Sequence, residues 1–189
     1  MDDAPHDWIV NHSPADRERL ADFAHRTFTG VDAAYFARRL QRHYRAHESL
    51  ESLFTGGLDA RADTVRGALE HFHKAFFDVA DAPQRTRKHV ATPARGSSCK
   101  RLNMYLRWMV RPSTGGVDFG LWRGIRPAQL VIPLDVHVRR QAMALGLLTR
   151  KQADWRAAVE LTRALRRYDP EDPVKYDFAL FGLGCLTEH

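Results

Sequence analysis

Apolar side chains recur three or four residues apart along most of this 189-residue chain. That spacing places them on one face of an α-helix, and convincing alternation of apolar and polar residues, typical of a half-buried β-strand, is absent. A chain of this length buries one core. The sequence therefore predicts an all-α protein with a single helical domain over residues 1–189.

Capping residues and helix breakers mark the predicted helices. Ser13 and Pro14 begin a first helix that we expect to end at Gly30, and Asp32 is predicted to cap a second one. Residues 1–12 are expected to be disordered, residues 80–117 to form a basic loop, hairpin and helix, and residues 118–189 to form a helical half that carries Asp135. The later helices are predicted over residues 65–79, 99–111, 119–125, 135–145, 149–165 and 172–184.

The basic residues are concentrated in one part of the chain. The formal net charge is +6, but residues 82–117, which we call the basic segment, contain 8 Lys or Arg residues and no acidic residue. A block of like charge is commonly a solvated face. It is also the composition of a polyanion-binding site, because Lys and Arg contacts to phosphates release counterions. Charge alone leaves both interpretations open.

Lys100 lies at a predicted helix start, directly after a turn at residues 96–98. Free backbone N–H groups and the positive end of the helix dipole suit a phosphate at this place. They disfavour a protonated amine, as do Arg95 and Arg101, and an unprotonated lysine is a nucleophile that can form a Schiff base. The chain has 24 arginines and 5 lysines, so lysine is not its usual cation. The alternative is a surface lysine that only contacts phosphate.

Asp135 follows an apolar run, residues 130–132, and precedes a predicted helix. Its simplest role is that of an N-cap, in which the carboxylate accepts backbone N–H groups of the first turn. A carboxylate held ionised in a partly buried place can also stabilise positive charge on a sugar or activate a nucleophile. The two roles are compatible.

The sequence gives little support for a disulfide-stabilised, metal-binding, membrane-bound or secreted protein. Cys99 and Cys185 form no disulfide framework, and with the histidines they fall at no metal-ligand spacing. No apolar run is long enough to cross a membrane, and the acidic N-terminus is unlike a signal peptide. We therefore expect a cytoplasmic protein with no metal, no cofactor, no membrane association and no obligate protein partner.

Two of these patterns resemble the helix-hairpin-helix DNA glycosylase superfamily. The chain reads Gly-Ser-Ser-Cys-Lys at residues 96–100 and Pro-Leu-Asp-Val-His at residues 133–137, where endonuclease III-like members read roughly Gly-x-x-x-Lys and Val-Asp-x-His. The spacing of 35 residues from Lys100 to Asp135 is longer than in those members and closer to the archaeal 8-oxoguanine glycosylase branch. The resemblance implies a helix-hairpin-helix DNA glycosylase-like helical domain.

Carried onto this sequence, the resemblance implies a role for each matching residue. Lys100 becomes the nucleophile that displaces a base at the sugar C1′ and then assists strand cleavage. Asp135 becomes the carboxylate that activates Lys100 or stabilises the oxocarbenium-like state. The hairpin and its neighbours would contact DNA, although serines replace the usual second glycine. The implied nucleic-acid-binding residues are Arg87, Lys88, His89, Arg95, Gly96, Ser97, Ser98 and Arg101.

A second resemblance covers most of the chain from about Phe23 onward. Residues 99–111, 116–122, 133–137, 146–155 and 169–184 are similar to a bacterial family of conserved proteins of unknown function. Its members usually have more chain before the Phe23 region, so we expect the N-terminal part of the family to be missing here. This resemblance names a family without naming an activity.

Together these observations favour a DNA-binding protein of DNA repair, a base-excision DNA glycosylase and AP lyase that acts on damaged or abasic DNA. Two alternatives stay open, a non-catalytic helix-hairpin-helix module that binds DNA or RNA and a helical interaction domain with a solvated basic face. The first interpretation requires that the Lys100 amine and the Asp135 carboxylate face one cleft within several ångströms.

Overall fold

Helices dominate the structure, a computed structural model that describes residues 3–113 and 116–186. The all-α prediction is confirmed, with a short antiparallel hairpin added in which Ala24 pairs with Thr29 and His25 with Phe28. The helices are α1 (Pro5–Asn11), α2 (Pro14–Glu18), α3 (Gly30–Tyr44), α4 (Glu51–Thr55), α5 (Arg66–Phe76), α6 (Lys100–Val110), α7 (Val136–Ala144), α8 (Trp155–Arg166) and α9 (Asp177–Leu186). The strands are β1 (Ala24–His25) and β2 (Phe28–Thr29), and short 3₁₀ helices lie at Gln84–His89, Pro93–Arg95, Pro127–Gln129 and Pro173–Tyr176.

The first predicted helix is much shorter than expected. Ser13 and Asp16 form the predicted helix start, a capping box in which each side chain binds the other residue's backbone N–H. However, α2 ends at Glu18, and Gly30 begins α3 instead of ending a helix. A Cβ on Gly30 would lie 2.1 Å from the carbonyl oxygen of Leu20. The glycine therefore serves a close approach of two chain segments, which periodicity cannot reveal.

Asp32 lies inside α3 and is not its cap. Thr29 is the N-cap, and Asp32 accepts a hydrogen bond from the Thr29 backbone N–H at 2.9 Å. The Asp32 carboxylate also accepts a hydrogen bond from the Thr86 hydroxyl at 2.7 Å. This fully buried carboxylate therefore joins the start of α3 to the basic segment.

The N-terminal residues are more ordered than the sequence predicted. Residues 5–11 form α1, which packs on α3, whereas we expected residues 1–12 to be disordered. The Gln41 side chain in α3 donates hydrogen bonds to the carbonyl oxygens of His12 at 2.7 Å and Val10 at 3.2 Å. These bonds satisfy backbone groups at the end of α1 and hold it in place.

The core lies between the buried faces of α5, α6, α7 and α8. The helix predicted over residues 99–111 is present as α6, and its apolar side chains form one stripe. Leu106 and Val110 are buried, and Leu102, Tyr105 and Met109 pack against the core. An aromatic layer covers one side, where Phe54 stacks on Phe72 with ring centroids 4.3 Å apart. The largest fully buried apolar side chains include Leu69, Phe76, Leu130, Ile132, Val138 and Leu161. This packing fixes α6 and thereby directs its N-terminal end towards solvent.

The helix predicted over residues 119–125 is wrong. This segment is irregular, and its backbone N–H groups do not bond to its own carbonyls. The N–H of Phe119 donates to the carbonyl of Trp108 at 2.7 Å, and that of Trp122 to the carbonyl of Met109 at 2.8 Å. The segment thus satisfies free carbonyl groups in the last turns of α6.

Two further helix boundaries differ from the prediction. α8 begins at Trp155 and not at Thr149, because Asp154 is its N-cap and the Thr149 N–H donates instead to Glu160 Oε1 at 2.6 Å. α9 continues past Gly184 to residue 186. A Cβ on Gly184 would lie 2.9 Å from the Cβ of His137, so this glycine allows α9 to approach α7.

Three helix N-termini come together at one end of the fold. The Trp155 N–H at the start of α8 donates to the Gly96 carbonyl in the turn before α6, at 3.0 Å. The start of α7 carries Asp135, which contacts Lys100 at the start of α6. Among the described residues, no helix combines the length and apolar character that crossing a bilayer requires.

Candidate functional site

The turn before α6 has a backbone that side chains hold in place. Gly96 has φ +77°, a left-handed conformation that favours glycine, and Cys99 has φ +52°. The Cys99 N–H donates to Ser97 Oγ at 3.1 Å, and the Asn103 amide donates to the Ser98 carbonyl at 3.0 Å. The Cys99 side chain is itself buried in the core. These contacts anchor the turn and fix the first residue of α6.

Lys100 is that first residue, and the structure brings it to Asp135. Lys100 Nζ lies 3.2 Å from Asp135 Oδ2, with 47% of the lysine side chain and 11% of the aspartate side chain exposed. The other carboxylate oxygen, Oδ1, accepts the Val138 N–H at 2.8 Å, so Asp135 caps α7 as predicted. One oxygen therefore orients the carboxylate while the other faces the amine. We call these two residues the Lys100–Asp135 pair.

A second carboxylate, Asp177 at the start of α9, lies behind this pair. It is 3% exposed and accepts a hydrogen bond from Arg107 Nη1 at 2.8 Å. Burial raises the pKa of Asp177 to about 6, against the opposing charge and hydrogen bond of Arg107. The Asp135 charge raises this pKa further and the Lys100 charge lowers it, so all four groups share one electrostatic environment.

The arginines at the far end of α6 belong to a buried ion network. Arg107 is 1% exposed and contacts Asp118 at 3.4 Å in addition to Asp177. Arg111 is bonded to Asp118 and, at 2.8 Å, to Asp172. The network joins α6 to Asp118, in the segment before α7, and to Asp172 and Asp177, which follow α8. Its arginines are therefore structural and not free to bind an external anion.

The predicted nucleic-acid-binding residues fall into two groups. Two of them are engaged inside the protein: the Arg87 guanidinium donates to the Phe77 carbonyl at 3.3 Å, and His89 Nε2 lies 3.4 Å from Asp32 Oδ2. The rest lie at or near the surface. Lys88, Arg95, Gly96 and Arg101 are exposed, and Ser97 and Ser98 are half-buried.

A groove that sequence reasoning missed runs beside this turn. It has a volume of about 700 Å³, and α8 forms one wall. Four arginines line it, Arg66, Arg150, Arg156 and Arg163, together with two acidic residues, Asp63 and Glu160. We call it the arginine groove. Arg66 pairs with Glu70 and Arg150 with Asp154, whereas the guanidinium groups of Arg156 and Arg163 have no hydrogen bond or ion pair within the described part of the chain.

The groove is continuous with the turn through Trp155, which lines it and also donates to Gly96. Arg156 and Arg163 are seven positions apart, so they lie on the same face of α8. The sequence shows this spacing, but it does not show that the arginine face of α8 lies next to the turn.

An exposed aromatic side chain adjoins the buried network. The Phe178 ring lies over the Arg107 guanidinium, 4.0 Å from its carbon to the ring centroid, and 46% of Phe178 is exposed. Phe181, on the same helix, is also exposed, and its ring lies 5.7 Å from that of His137. α9 therefore presents aromatic surface beside the Lys100–Asp135 pair.

Other chemistries find less support in the described residues. Burial raises the pKa of the Cys99 thiol to about 11, which leaves it protonated and unreactive at neutral pH. Within residues 3–113 and 116–186, no three His, Cys, Asp or Glu side chains are grouped so that they could hold a metal ion. The Lys100 amine, by contrast, is about half exposed and can be reached from solvent.

Comparison with known proteins gave a single family. Residues 1–186 match the family described as "Protein of unknown function (DUF2400)". Neither a curated protein nor a solved structure matched the chain. The match agrees with the resemblance of residues from Phe23 onward to a conserved family of unknown function.

Proposed function

The chain belongs to the DUF2400 family, and we propose that it is a base-excision DNA glycosylase with AP lyase activity, built on a helix-hairpin-helix glycosylase-like fold. The observation that carries the proposal is the 3.2 Å contact between Lys100 Nζ and Asp135 Oδ2 at two neighbouring helix starts. The lysine remains about half exposed, so a sugar can reach it. We further propose a cytoplasmic location, since the cysteine content fits a reducing compartment.

The proposed reaction begins with transfer of a proton from Lys100 Nζ to Asp135. The freed amine attacks the sugar C1′, the C1′–N bond to the damaged base breaks, and the base leaves with the bonding electron pair and takes up the proton. A proton passes from Nζ to O4′ as the C1′–O4′ bond breaks, which opens the sugar ring and leaves a protonated imine on Nζ. Asp135, ionised again once its proton has gone to the base, then accepts a C2′ proton. The 3′ phosphate leaves with the electron pair of its bond to C3′, which severs the strand.

Asp135 suits this role because its position is fixed. Its Oδ1 is occupied by the Val138 N–H, so the carboxylate cannot rotate away from the amine. Once its proton has passed to the departing base, the ionised carboxylate also stabilises positive charge on the sugar. The reacting nucleotide must leave the base stack, which costs a few kcal/mol and least for a damaged base.

The surface around the pair fits a DNA backbone. Arg95 and Arg101 are exposed on either side of the turn, and Lys88 is exposed earlier in the basic segment. The arginine groove adds further arginines along α8. Backbone N–H groups at the start of α6 add donors for phosphate oxygens. Contacts of this kind position a strand without reading its sequence.

The test is covalent trapping with borohydride, which reduces the imine to a stable secondary amine. Duplexes that carry one abasic site or one oxidised purine are incubated with the protein and borohydride, and the product is resolved by denaturing electrophoresis. We expect a complex with the wild type and none with Lys100→Gln. Lys175→Gln is the matched control, because Lys175 is also about half exposed and also paired with an aspartate.

Two results would contradict the lysine mechanism. One is the absence of a trapped complex on either duplex. The other is equal trapping by the wild type and Lys100→Gln. Asp135→Asn sharpens the test, since asparagine also caps helices and should preserve α7 while removing the proton acceptor. We expect this variant to bind the duplex as the wild type does. It should form the trapped complex at least tenfold more slowly than the wild type.

The arginine groove favours a second candidate, a non-catalytic nucleic-acid-binding module. Two unpaired arginines on one face of α8 are useful to such a module whether or not Lys100 reacts. This candidate predicts salt-dependent binding that Lys100→Gln weakens only slightly, with no trapped complex. The same experiment therefore separates the two functions.

A further inference from the structure

A second cavity lies between the β1–β2 hairpin, α3 and the basic segment. Its volume is about 590 Å³, within the range of small-molecule sites. Aromatic rings from Phe23, Phe28, Phe36 and His89 line it, together with the side chains of Arg26 and Arg101. We call this cavity the aromatic pocket. The nucleophile proposed above is not among the lining residues.

Phe28 is the centre of the ring cluster. Its ring lies 5.3 Å from Phe36, 4.9 Å from His89 and 6.2 Å from Phe23, measured between centroids. The interplanar angles of these three pairs are 75° to 84°, so each pair packs edge to face and is not stacked. Such a corner offers ring surface to a planar ligand.

The charge that the aromatic pocket presents is positive. Arg26 and Arg101 are exposed. Within the described ranges, neither guanidinium group has a hydrogen bond or an ion pair. No acidic side chain is among the residues that line the pocket. Two free guanidiniums beside aromatic rings can bind an anionic group attached to a flat ring system.

The wall that carries His89 is held from behind by Asp32. The fully buried Asp32 carboxylate contacts His89 Nε2 at 3.4 Å and Arg85 Nη1 at 3.3 Å. Burial opposes its ionisation, but hydrogen bonds from Thr29 and Thr86 and the charge of Arg85 hold the pKa of Asp32 below its ordinary value. The carboxylate therefore stays charged and ties the hairpin, α3 and the basic segment together.

We propose that the aromatic pocket binds one nucleotide, with the base against the phenylalanine rings and the phosphate between Arg26 and Arg101. The flat base would pack against the phenylalanine rings, and the two unpaired guanidinium groups would bind the phosphate. The nucleotide is either free or part of a strand. Arg101 directly follows Lys100, so the aromatic pocket and the Lys100–Asp135 pair both include a residue from the first turn of α6. The site itself does not depend on the lysine chemistry.

The first arm of the test uses small ligands and calorimetry. Deoxyguanosine 5′-monophosphate, deoxyguanosine and inorganic phosphate are titrated separately into the full chain. We expect the monophosphate to bind at least about tenfold more tightly than either fragment, because only it uses both the rings and the arginines. Equal binding of phosphate and the monophosphate would mean that the rings contribute nothing, and would overturn the proposal.

Variants then locate the binding. Phe28→Leu and Arg101→Gln should each weaken binding of the monophosphate by at least about fivefold, the loss expected for one base–ring contact or one charged contact. Arg26→Gln is included because Arg26 is exposed and its loss leaves the core intact. The matched controls, Phe178→Leu and Arg123→Gln, should bind as the wild type does, because both side chains are exposed and neither lines the aromatic pocket or the arginine groove. Unchanged binding by all three pocket variants would overturn the proposal.

A second arm identifies the source of the nucleotide. A single-stranded hexanucleotide of the same base is compared with the monophosphate. Tighter binding of the hexanucleotide that Phe28→Leu reduces indicates a nucleotide within a strand, and binding no tighter indicates a free nucleotide; both results support the pocket. Lys100→Gln should keep full affinity for the monophosphate. Failure of borohydride trapping and failure of this site are therefore separate outcomes.

Discussion

The two ends of α6 carry the same kind of charge and put it to different uses. At the N-terminal end, Lys100 and Arg101 are exposed, and Lys100 has a single carboxylate partner. At the C-terminal end, Arg107 and Arg111 are bonded to carboxylates that lie inside the fold. In the sequence these residues form one acid-free block. The difference shows that a block of charge in a sequence is not the same as a charged surface.

The reason lies in the partners. The carboxylates of Asp172 and Asp177 come from the last part of the chain, and Asp118 from the segment after α6. Taking charges out of water is costly unless an opposite charge and hydrogen bonds replace the lost solvation. The C-terminal end of α6 is paired in this way, whereas the N-terminal end keeps its contact with water. Three predictions test this contrast.

The largest effect is expected for Arg107→Met. Removing this guanidinium leaves Asp177 without its hydrogen bond at 2.8 Å and removes one of the cations beside Asp118. Breaking a buried pair of this kind costs about 3–5 kcal/mol of the free energy of unfolding. Urea unfolding at pH 7 measures the loss.

The matched control is Arg101→Met, the same change at the exposed end of the same helix. A surface substitution should change the free energy of unfolding by no more than about 0.5 kcal/mol. If the two variants lose the same stability, the distinction between the two ends of α6 is wrong.

The next effect is a pH dependence carried by Asp177. Burial raises the pKa of Asp177 to about 6 in the folded protein, whereas an unfolded aspartate titrates near pH 4. The folded state therefore binds one additional proton between these values. The stability from that proton is fully present below about pH 4 and is lost as the pH rises through about 6, a change of about 3 kcal/mol.

Unfolding measured between pH 4 and pH 7.5 for the wild type and Asp177→Asn tests this expectation. The variant lacks the titrating group, so its free energy of unfolding should fall less over this range. The comparison uses the difference between the two curves, because other carboxylates titrate in both proteins. Parallel curves would show that Asp177 is not the buried acid.

The smallest effect on stability is expected at Asp135. Asp135→Ala removes the cap of α7 and should lower the free energy of unfolding by about 1 kcal/mol. Asp135→Asn keeps a cap and should remain within about 0.5 kcal/mol of the wild type. Both variants should form the trapped borohydride complex at least tenfold more slowly than the wild type. Retention of trapping by Asp135→Ala would assign the residue to helix capping alone.

The helices that the sequence predicts well are those whose signals are local. Residues 65–79, 99–111 and 135–145 combine an apolar stripe with a clear boundary, and α5, α6 and α7 lie there. Residues 13–30 have similar spacing, but Gly30 serves a contact with Leu20 that lies outside any helix. Residues 119–125 bond to the end of α6 and not to themselves. Periodicity detects neither kind of contact.

The candidate site divides in the same way. Lys100 and Asp135 could be singled out because each stands at a helix start, and the resemblance to the glycosylases paired them. Asp177 could not be found, because its importance comes from burial beside Arg107, 70 positions away in sequence. The arginine groove and the aromatic pocket also depend on distant segments, so their residues read as ordinary surface arginines and phenylalanines.

By itself the sequence determined the all-α class, the cap at Asp135 and the placement of Lys100 at the start of α6. These properties depend on neighbours within one or two helical turns, where spacing and side-chain chemistry are sufficient. Only the tertiary structure decided which cations remain free. A charge is neutralised by whichever carboxylate lies within a few ångströms, and for Arg107 and Arg111 those carboxylates arrive from elsewhere in the chain.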